Sequence, residues 1–448
     1  MILRGMAFTC MLPFNLNPRG SLKSRKELTV YESSYSESLS YLDMDPFDVY
    51  NRNEMSGWLA IGGLCLSIIF SIACLCCGIY INFYRHTINE VVLSPAWRNA
   101  PFDAVPAVFT GIIAILPTTS STKTEFLSLA LNLIVTICTE SIGFVHSVAL
   151  KSALAGESRL YCNTNLRLLT AAHGNGWRDP NGSLFNAIMA ILLITSYVAS
   201  SLIFIPFHAE VTDDASQQWW NTCIPAMPVL VLGIALLLQA VIALAGLRQT
   251  KILTWSSSPL DTTAALLHEG LFTRNEGRCM HNVTDLNSYV GPRPPSELQP
   301  SAWESHSSIK KIIILLWSLV LMCVIWGGMV IVAWTQWVTS ALGPGLDSWS
   351  LFPNSHTNLV GYETYVDPDY GYPAAAWFIV FMVFIAVQGG MTLGLHCSEI
   401  IVNVTRDEMI WRNATSSTGT HSSQNPLITM LGSWRNVGLL VAKPVLRK

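Results

Sequence analysis

Charged side chains are scarce in this chain of 448 residues, since Asp, Glu, Lys and Arg together make up 12% of it. Soluble domains carry about 25%. Hydrophobic residues reach 51%, and they are concentrated in blocks of about 25 residues, the length that spans a hydrocarbon core of about 30 Å. A water-soluble fold could not bury that much apolar surface. The sequence therefore predicts an all-α fold, a polytopic transmembrane helix bundle of six or seven spans in a lipid bilayer.

The sequence also lacks a long basic run, and its net charge is only −3, so nucleic acid is not an expected partner. It contains no Walker loop, no G-x-S-x-G motif and no H-E-x-x-H motif. His396 and Glu399 invert the Glu-x-x-His spacing of di-iron bundles and have no second copy. We therefore predict a protein that is not an enzyme and that holds no metal and no cofactor.

Strong spans are predicted at residues 57 to 81, 126 to 150, 183 to 207, 223 to 247, 311 to 337 and 374 to 397. The segment from 102 to 118 is short and contains two prolines, so it is either a seventh crossing or a re-entrant or interfacial helix. The bundle then covers residues 56 to 405.

The two ends of the chain are polar. Residues 1 to 55 contain no convincing signal peptide and are predicted to be disordered, so the first span is expected to direct insertion. Residues 406 to 448 are predicted to form a C-terminal tail.

Lys and Arg near the span ends predict the orientation. They occur in loop 151 to 182, in the long loop 248 to 310 and in the tail, whereas loops 208 to 222 and 338 to 373 contain none. The basic loops and the C-terminus are therefore predicted to be cytoplasmic. The glycosylation sequons lie on that side and are expected to stay unmodified; they are Asn181, Asn282, Asn403 and Asn413.

An internal echo bears on the seventh span. Residues 97 to 107 read WRNAPFDAVPA and residues 255 to 265 read WSSSPLDTTAA. In the second copy, Ser258, Pro259 and Asp261 suit the N-cap, N1 and N3 positions of a helix. If both copies lie on the cytoplasmic side, 102 to 118 must cross, which favours seven spans with the N-terminus outside. If that segment stays in the interface, there are six spans and the N-terminus is inside.

A polar stripe runs along the span from 126 to 150. At about 100° per residue, its members fall within an arc of about 120° on one helix; they include Asn132, Thr136, Thr139, Glu140, Gly143, His146 and Ser147. A carboxylate at the centre of a bilayer costs about 2.5 to 3.5 kcal/mol. The stripe must therefore face other helices or a polar cavity. Glu140 then serves either a proton, ion or solute site or a hydrogen bond that fixes helix packing.

The last span offers a possible partner for this stripe. One of its faces carries Gln388, Thr392, His396 and Glu399. The other carries Gly390, Gly394 and Ser398, a ridge of small residues that lets a neighbouring backbone approach. We predict that the first face hydrogen-bonds near Glu140 and that the second face packs.

Four strings carry a resemblance that covers most of the chain from about residue 55. They are NTNLRLLTAA at 163 to 172, SPLDTTAAL at 258 to 266, QPSAWESH at 299 to 306 and LHCSEIIVNVTRDE at 395 to 408. The chain resembles a group of multi-spanning integral membrane proteins of filamentous fungi. That group has no established activity, so the resemblance implies a membrane location and assigns no site residue. It also implies that residues 431 to 446 are the start of a further membrane segment that is cut short, because similar proteins continue beyond this point.

Two functions remain open from the sequence. The first is a bundle that moves or binds a small solute, ion or lipid through a polar interior built around Glu140. The alternative is a membrane receptor or scaffold that binds a cytoplasmic protein through loop 248 to 310, which contains an amphipathic stretch and a proline-rich run.

Overall fold

The computed structural model describes residues 54–83, 113–117, 121–160, 170–174, 176–210, 218–256, 258–271, 307–341 and 374–415, and positions 437, 438 and 441. Its long helices are α1 (Glu54–Phe83), α2 (Ser121–Gly156), α3 (Ser183–Ser201), α4 (Ala226–Gln249), α6 (Ser307–Ala341) and α7 (Ala374–Thr415), and a short helix, α5, covers Pro259–His268. Its strands are β1 (Ile113–Pro117), β2 (Ile205–Glu210) and β3 (Gln218–Pro225).

Several predicted segments lie outside the described residues. They are the polar segment before residue 54, the first copy of the echo at 97–107, the proline-rich part of loop 248–310, loop 342–373 and most of the tail after residue 415.

Six helices in the described part of the chain are long and apolar enough to cross a bilayer. This confirms the prediction of an all-α transmembrane bundle, and the chain is a multi-span membrane protein. Several predicted span ends differ from the observed helices, and two of them have a clear physical cause. Residues 205–207 belong to β2 and not to α3, because Pro206 disfavours the helical conformation at the residue before it. α7 continues past residue 397 to Thr415, where charged pairs such as Glu408 and Arg412, 3.2 Å apart, support a helix.

Helices α1 to α4 form the main body of the fold. α4 packs along α1, α2 and α3, and α1 also packs along α2. Glycines permit the close approach of α1 and α4, since a Cβ on Gly233 would lie 2.8 Å from Leu75 Cγ and a Cβ on Gly78 would lie 2.6 Å from Leu230 Cγ. The buried residues between these helices form one apolar core; they include Leu64, Val135, Ile142, Leu232 and Leu236.

A small antiparallel sheet caps one end of this body. Its strand order is β1, β3, β2, and Cys223 of β3 pairs with Ile115 on one side and Ile205 on the other. β1 precedes α2, and β2 and β3 join α3 to α4. We call this end of the body the sheet end. The opposite end carries Lys151, Arg248 and Lys251, and we call it the basic end. No strand was predicted from the sequence, because these short apolar runs continue directly from the spans.

The described residues on both sides of the segment from 102 to 118 lie at the sheet end. Gly78, near the end of α1, contacts Leu230 near the start of α4, and Thr124, near the start of α2, contacts Thr222 of β3. Most of 102–118 lies outside the described residues, so a crossing by this segment stays a prediction. Residues 113–117 of that segment form β1. Gly57, at the start of α1, lies against the Trp255 ring at the basic end.

Helices α6 and α7 form an antiparallel pair beside the main body. Gly390 and Gly394 face α6, where a Cβ would lie 3.3 Å from Met322 and 3.6 Å from Leu319. Ser398, the third residue of the ridge, donates a hydrogen bond to the Gly394 carbonyl on its own helix at 2.9 Å. α7 also packs along α3.

The short helix α5 packs at the basic end. Ser258 is its N-cap and Pro259 opens its first turn, as the sequence predicts, but the Ser258 hydroxyl makes no capping bond. Its Leu266 joins a second apolar cluster with Leu150 and Leu154 of α2. Just after the helix, a hydrogen bond from Lys251 holds the pKa of Glu269 below its ordinary value. This exposed pair therefore contributes to stability at neutral pH, and its contribution falls as the pH drops through that lowered pKa.

Candidate intramembrane polar site

The deepest polar groups of α2 are neutral. Asn132 and Thr136 are each 1% exposed, and Thr139 is 4% exposed. They lie three or four residues apart, so they share one helix face, and that face is turned into the body formed by α1 to α4 because the apolar Val135 and Ile142 beside it join the core. The predicted stripe thus lies inside the bundle at these positions.

The Asn132 amide is the least satisfied of these groups. Neither its nitrogen nor its oxygen has a hydrogen-bond partner among the described residues. Thr136 does not supply one, since its hydroxyl donates to the Asn132 backbone carbonyl at 2.6 Å. A buried amide without hydrogen-bond partners lowers the free energy of unfolding by about 1 to 3 kcal/mol.

The other three helices of the body also bring neutral polar groups into its interior. Tyr197 of α3 shares a 2.9 Å hydrogen bond with Thr139. The hydroxyls of Ser67 and Ser71 of α1 donate to carbonyls, and the Ser71 bond reaches Gly233 of α4 at 2.6 Å. Gln239 of α4 is 1% exposed, and its side-chain nitrogen has no partner in the described part of the chain.

Asn132 and Gln239, the two residues of the body whose amides have unpartnered atoms in the described residues, lie at similar depth in the bilayer. At about 1.5 Å per residue, Asn132 is about 17 Å along α2 from Ser121, and Gln239 is about 20 Å along α4 from Ala226. Both helices start at the sheet end. In a hydrocarbon core of about 30 Å both amides are therefore close to the bilayer centre.

Glu140 lies at the border of this interior. It is half-buried, whereas Asn132 and Thr136 of the same stripe are almost fully buried. The sequence placed Glu140 at the centre of the site. The neutral amide two turns earlier, at Asn132, is more deeply buried, and the role of Glu140 stays a prediction.

His146 belongs to a separate network at the basic end. Its Nε2 lies 2.8 Å from the Asn186 side-chain oxygen of α3, and the Asn186 nitrogen donates to the Thr170 carbonyl. Asn181 is fully buried beside Gly246, so its sequon is shielded in the folded chain. These contacts hold the segment before α3 against the basic end of the body.

The predicted residues of α7 form a second polar group. Gln388 is 9% exposed and Thr392 is 3% exposed, and Gln388 Nε2 and Thr392 Oγ1 are unpartnered within the described ranges. His396 Nδ1 lies 3.5 Å from Glu399 Oε2 on its own helix. α7 packs along α3 and α6 and also contacts α5, and a contact between this group and Glu140 stays a prediction.

Sequence reasoning missed Gln239, Tyr197 and Asn186. A signal existed for Gln239, because it is the single amide in the apolar run from 226 to 247. Tyr197 and Asn186 gave no comparable signal. Their importance depends on which helix faces α2, and span hydropathy does not carry that information.

Comparisons of this chain with protein-family models, with curated proteins and with solved structures find no match.

Proposed function

We propose that this membrane protein binds a small solute inside the body formed by α1 to α4 and lets it pass between the sheet end and the basic end. The single observation that supports this is the Asn132 amide, which is 1% exposed and has no partner for either polar atom within the described residues. A leucine would fill similar volume without the cost of an unsatisfied amide. An amide kept in that position is accounted for if a solute completes its hydrogen bonds.

The same proposal includes a direction. Among the described residues, Lys and Arg are more numerous at the basic end than at the sheet end, where Lys123 lies at the start of α2 and the strands contain none. By the tendency of positive residues to stay inside, the basic end faces the cytoplasm. With six spans, the start of α1 and the end of α7 then lie on the cytoplasmic side.

Catalysis has no part in this proposal. The buried polar groups of α1 to α4 are hydroxyls and amides that hydrogen-bond, and binding with passage uses only that property. The bonded members, such as Thr139 and Tyr197, hold the helices together. The unpartnered members, Asn132 and Gln239, are left for the solute.

Liposomes that contain the purified full chain test the proposal. Urea entry is followed by light scattering, and the entry of guanidinium and inorganic phosphate is followed with a potential-sensitive dye. We expect at least one of these probes to enter faster than into protein-free liposomes, and we expect Asn132→Leu to remove that gain.

Ser318→Ala is the matched control, because Ser318 is an exposed hydroxyl of α6 that bonds only to its own helix, at 2.7 Å to the Leu315 carbonyl. It should leave the flux unchanged. If none of the three probes enters faster than into protein-free liposomes, the proposed function is wrong.

A further inference from the structure

The interior of α1 to α4 is almost free of charge. The described parts of α1 from 55 to 83, of α3 and of α4 up to Leu247 contain no Asp, Glu, Lys or Arg. In α2, Glu140 is the single charged residue between Glu125 and Lys151, and it is half-buried while the amides lie deeper. An ion at the level of Asn132 would therefore meet dipoles and no fully buried countercharge.

Most of the hydrogen-bonding capacity at this level is already used. The hydroxyl protons of Ser67, Ser71 and Thr136 go to backbone carbonyls, so they are not available to an anion. Thr139 and Tyr197 bond to each other. At this level, the buried atoms with no hydrogen bond in the described residues are the two polar atoms of the Asn132 amide, one donor and one acceptor, and the Gln239 nitrogen, a donor. The hydroxyl oxygens keep acceptor lone pairs beside them.

This remaining set mixes donors with an acceptor. A cation would face the N–H groups of both amides with the wrong sign, and an anion would leave the Asn132 oxygen unmatched. The amide assignment could be reversed at Asn132 without changing this result, because both ends lack a partner in the described residues. A neutral molecule with a carbonyl or hydroxyl acceptor next to an N–H or O–H donor matches the set.

We propose that the polar interior at Asn132 and Gln239 selects a neutral solute of the amide, urea or polyol class and excludes ions of either sign. This inference rests on the proposed function, since it names the class of solute that passes. The selectivity follows from solvation. An ion would give up its hydration without a compensating charge, whereas a neutral amide exchanges bonds to water for bonds to the two side chains.

Urea and guanidinium provide the test, because they share a planar shape and a similar size and differ in charge. In liposomes with the full chain, we expect urea entry above the protein-free rate and no guanidinium entry above it. Asn132→Leu should lower the protein-dependent urea flux by about tenfold, the factor that corresponds to ~1.4 kcal/mol. Gln239→Leu should lower it in the same direction, and Ser318→Ala should not change it.

Asn132→Asp tests the role of charge at constant side-chain size. We expect urea flux to fall and guanidinium flux to appear in this variant. If Asn132→Asp does not fold, as judged by size-exclusion chromatography in detergent, Gln239→Glu makes the same test on α4.

The outcomes separate the two proposals. Guanidinium or phosphate flux through the unmodified chain that disappears in Asn132→Leu would overturn neutral selectivity and leave solute passage in place. Urea flux that survives both leucine variants would overturn the assignment of the site. Absence of flux for all probes would overturn the proposed function itself.

Discussion

Asn132 and Thr139 lie on one face of α2, about two turns apart, and differ in whether their side chains have a partner. Thr139 is bonded to Tyr197, and Asn132 has no partner in the described part of the chain. We expect Asn132→Leu to raise the free energy of unfolding by about 1 to 3 kcal/mol, because it removes an unsatisfied buried amide. Thr139→Val should lower it by roughly 0.6 to 1.7 kcal/mol, the range for intramembrane hydrogen bonds.

Equilibrium unfolding in detergent measures both variants. A destabilised Asn132→Leu protein would mean that the amide is satisfied in the folded bundle, and the site would lose its support. A stabilised variant that no longer conducts urea would separate the requirements of folding from those of the solute.

Sequence reasoning at this scale recovered the stripe but not its depth. The helical period places Asn132, Thr136 and Glu140 on a common side. Which of them is deepest depends on the position of the neighbouring helices, and the structure leaves Glu140 at the border. A charged residue in an apolar span is a clear signal in a sequence. The neutral amide of Asn132 is a weaker signal, although Asn132 is more deeply buried.

Between elements, glycines decide how closely α1 and α4 approach. A Cβ on Gly233 would lie 2.8 Å from Leu75 and 3.0 Å from the Ser71 backbone oxygen. We expect Gly233→Ala to lower the free energy of unfolding by about 1 to 3 kcal/mol, because the backbones must separate. Gly62→Ala is the control, since no atom lies within 4 Å of a Cβ there; it should be neutral or slightly stabilising, as alanine favours helix. Equal effects of the two substitutions would contradict close packing at Gly233.

An electrostatic interaction links α2 and α7 at the basic end. Lys151 interacts with Asp407, which is fully buried and also lies 3.3 Å from Arg406. Lys151→Met should lower the free energy of unfolding by about 1 to 3 kcal/mol, because it leaves a buried carboxylate with fewer partners. Adding Asp407→Leu should restore most of the loss.

Lys311→Met removes the same charge from an exposed position on α6 and provides the control. Thermal unfolding in detergent compares the four proteins. A loss in the double variant equal to the sum of the single losses would show that the two residues are not coupled.

At the scale of the whole molecule, the six candidate spans of the described residues leave the start of α1 and the end of α7 at the basic end. A protease site inserted at residue 214, between β2 and β3, should be cleaved in intact cells by protease added outside, and a site inserted at residue 175 should be protected. A tag after Lys448 should also be protected. Cleavage at 175 with protection at 214 would reverse the orientation.

The fold class was predictable, because the length of each apolar run can be read directly from the sequence. The parity was not. The echo between residues 97–107 and 255–265 suggested a shared side, and its second copy does form the surface helix α5. β1 lies at the sheet end because it pairs with β3. The two strands are far apart in the sequence, and no local sequence pattern predicts such pairing.

That strand pair also sets the order in which the protein is built. β1 is synthesised before α2 and α3, but the strand it pairs with is completed only when the ribosome has passed Pro225. Until then the edge of β1 lacks its partner, and β2 has no strand beside it in the sheet. The emergence of β3 joins both strands at once and directly precedes α4, the helix on which α1, α2 and α3 pack. The first three helices can therefore insert into the membrane one at a time. They pack into the four-helix body only after β3 and α4 have been synthesised.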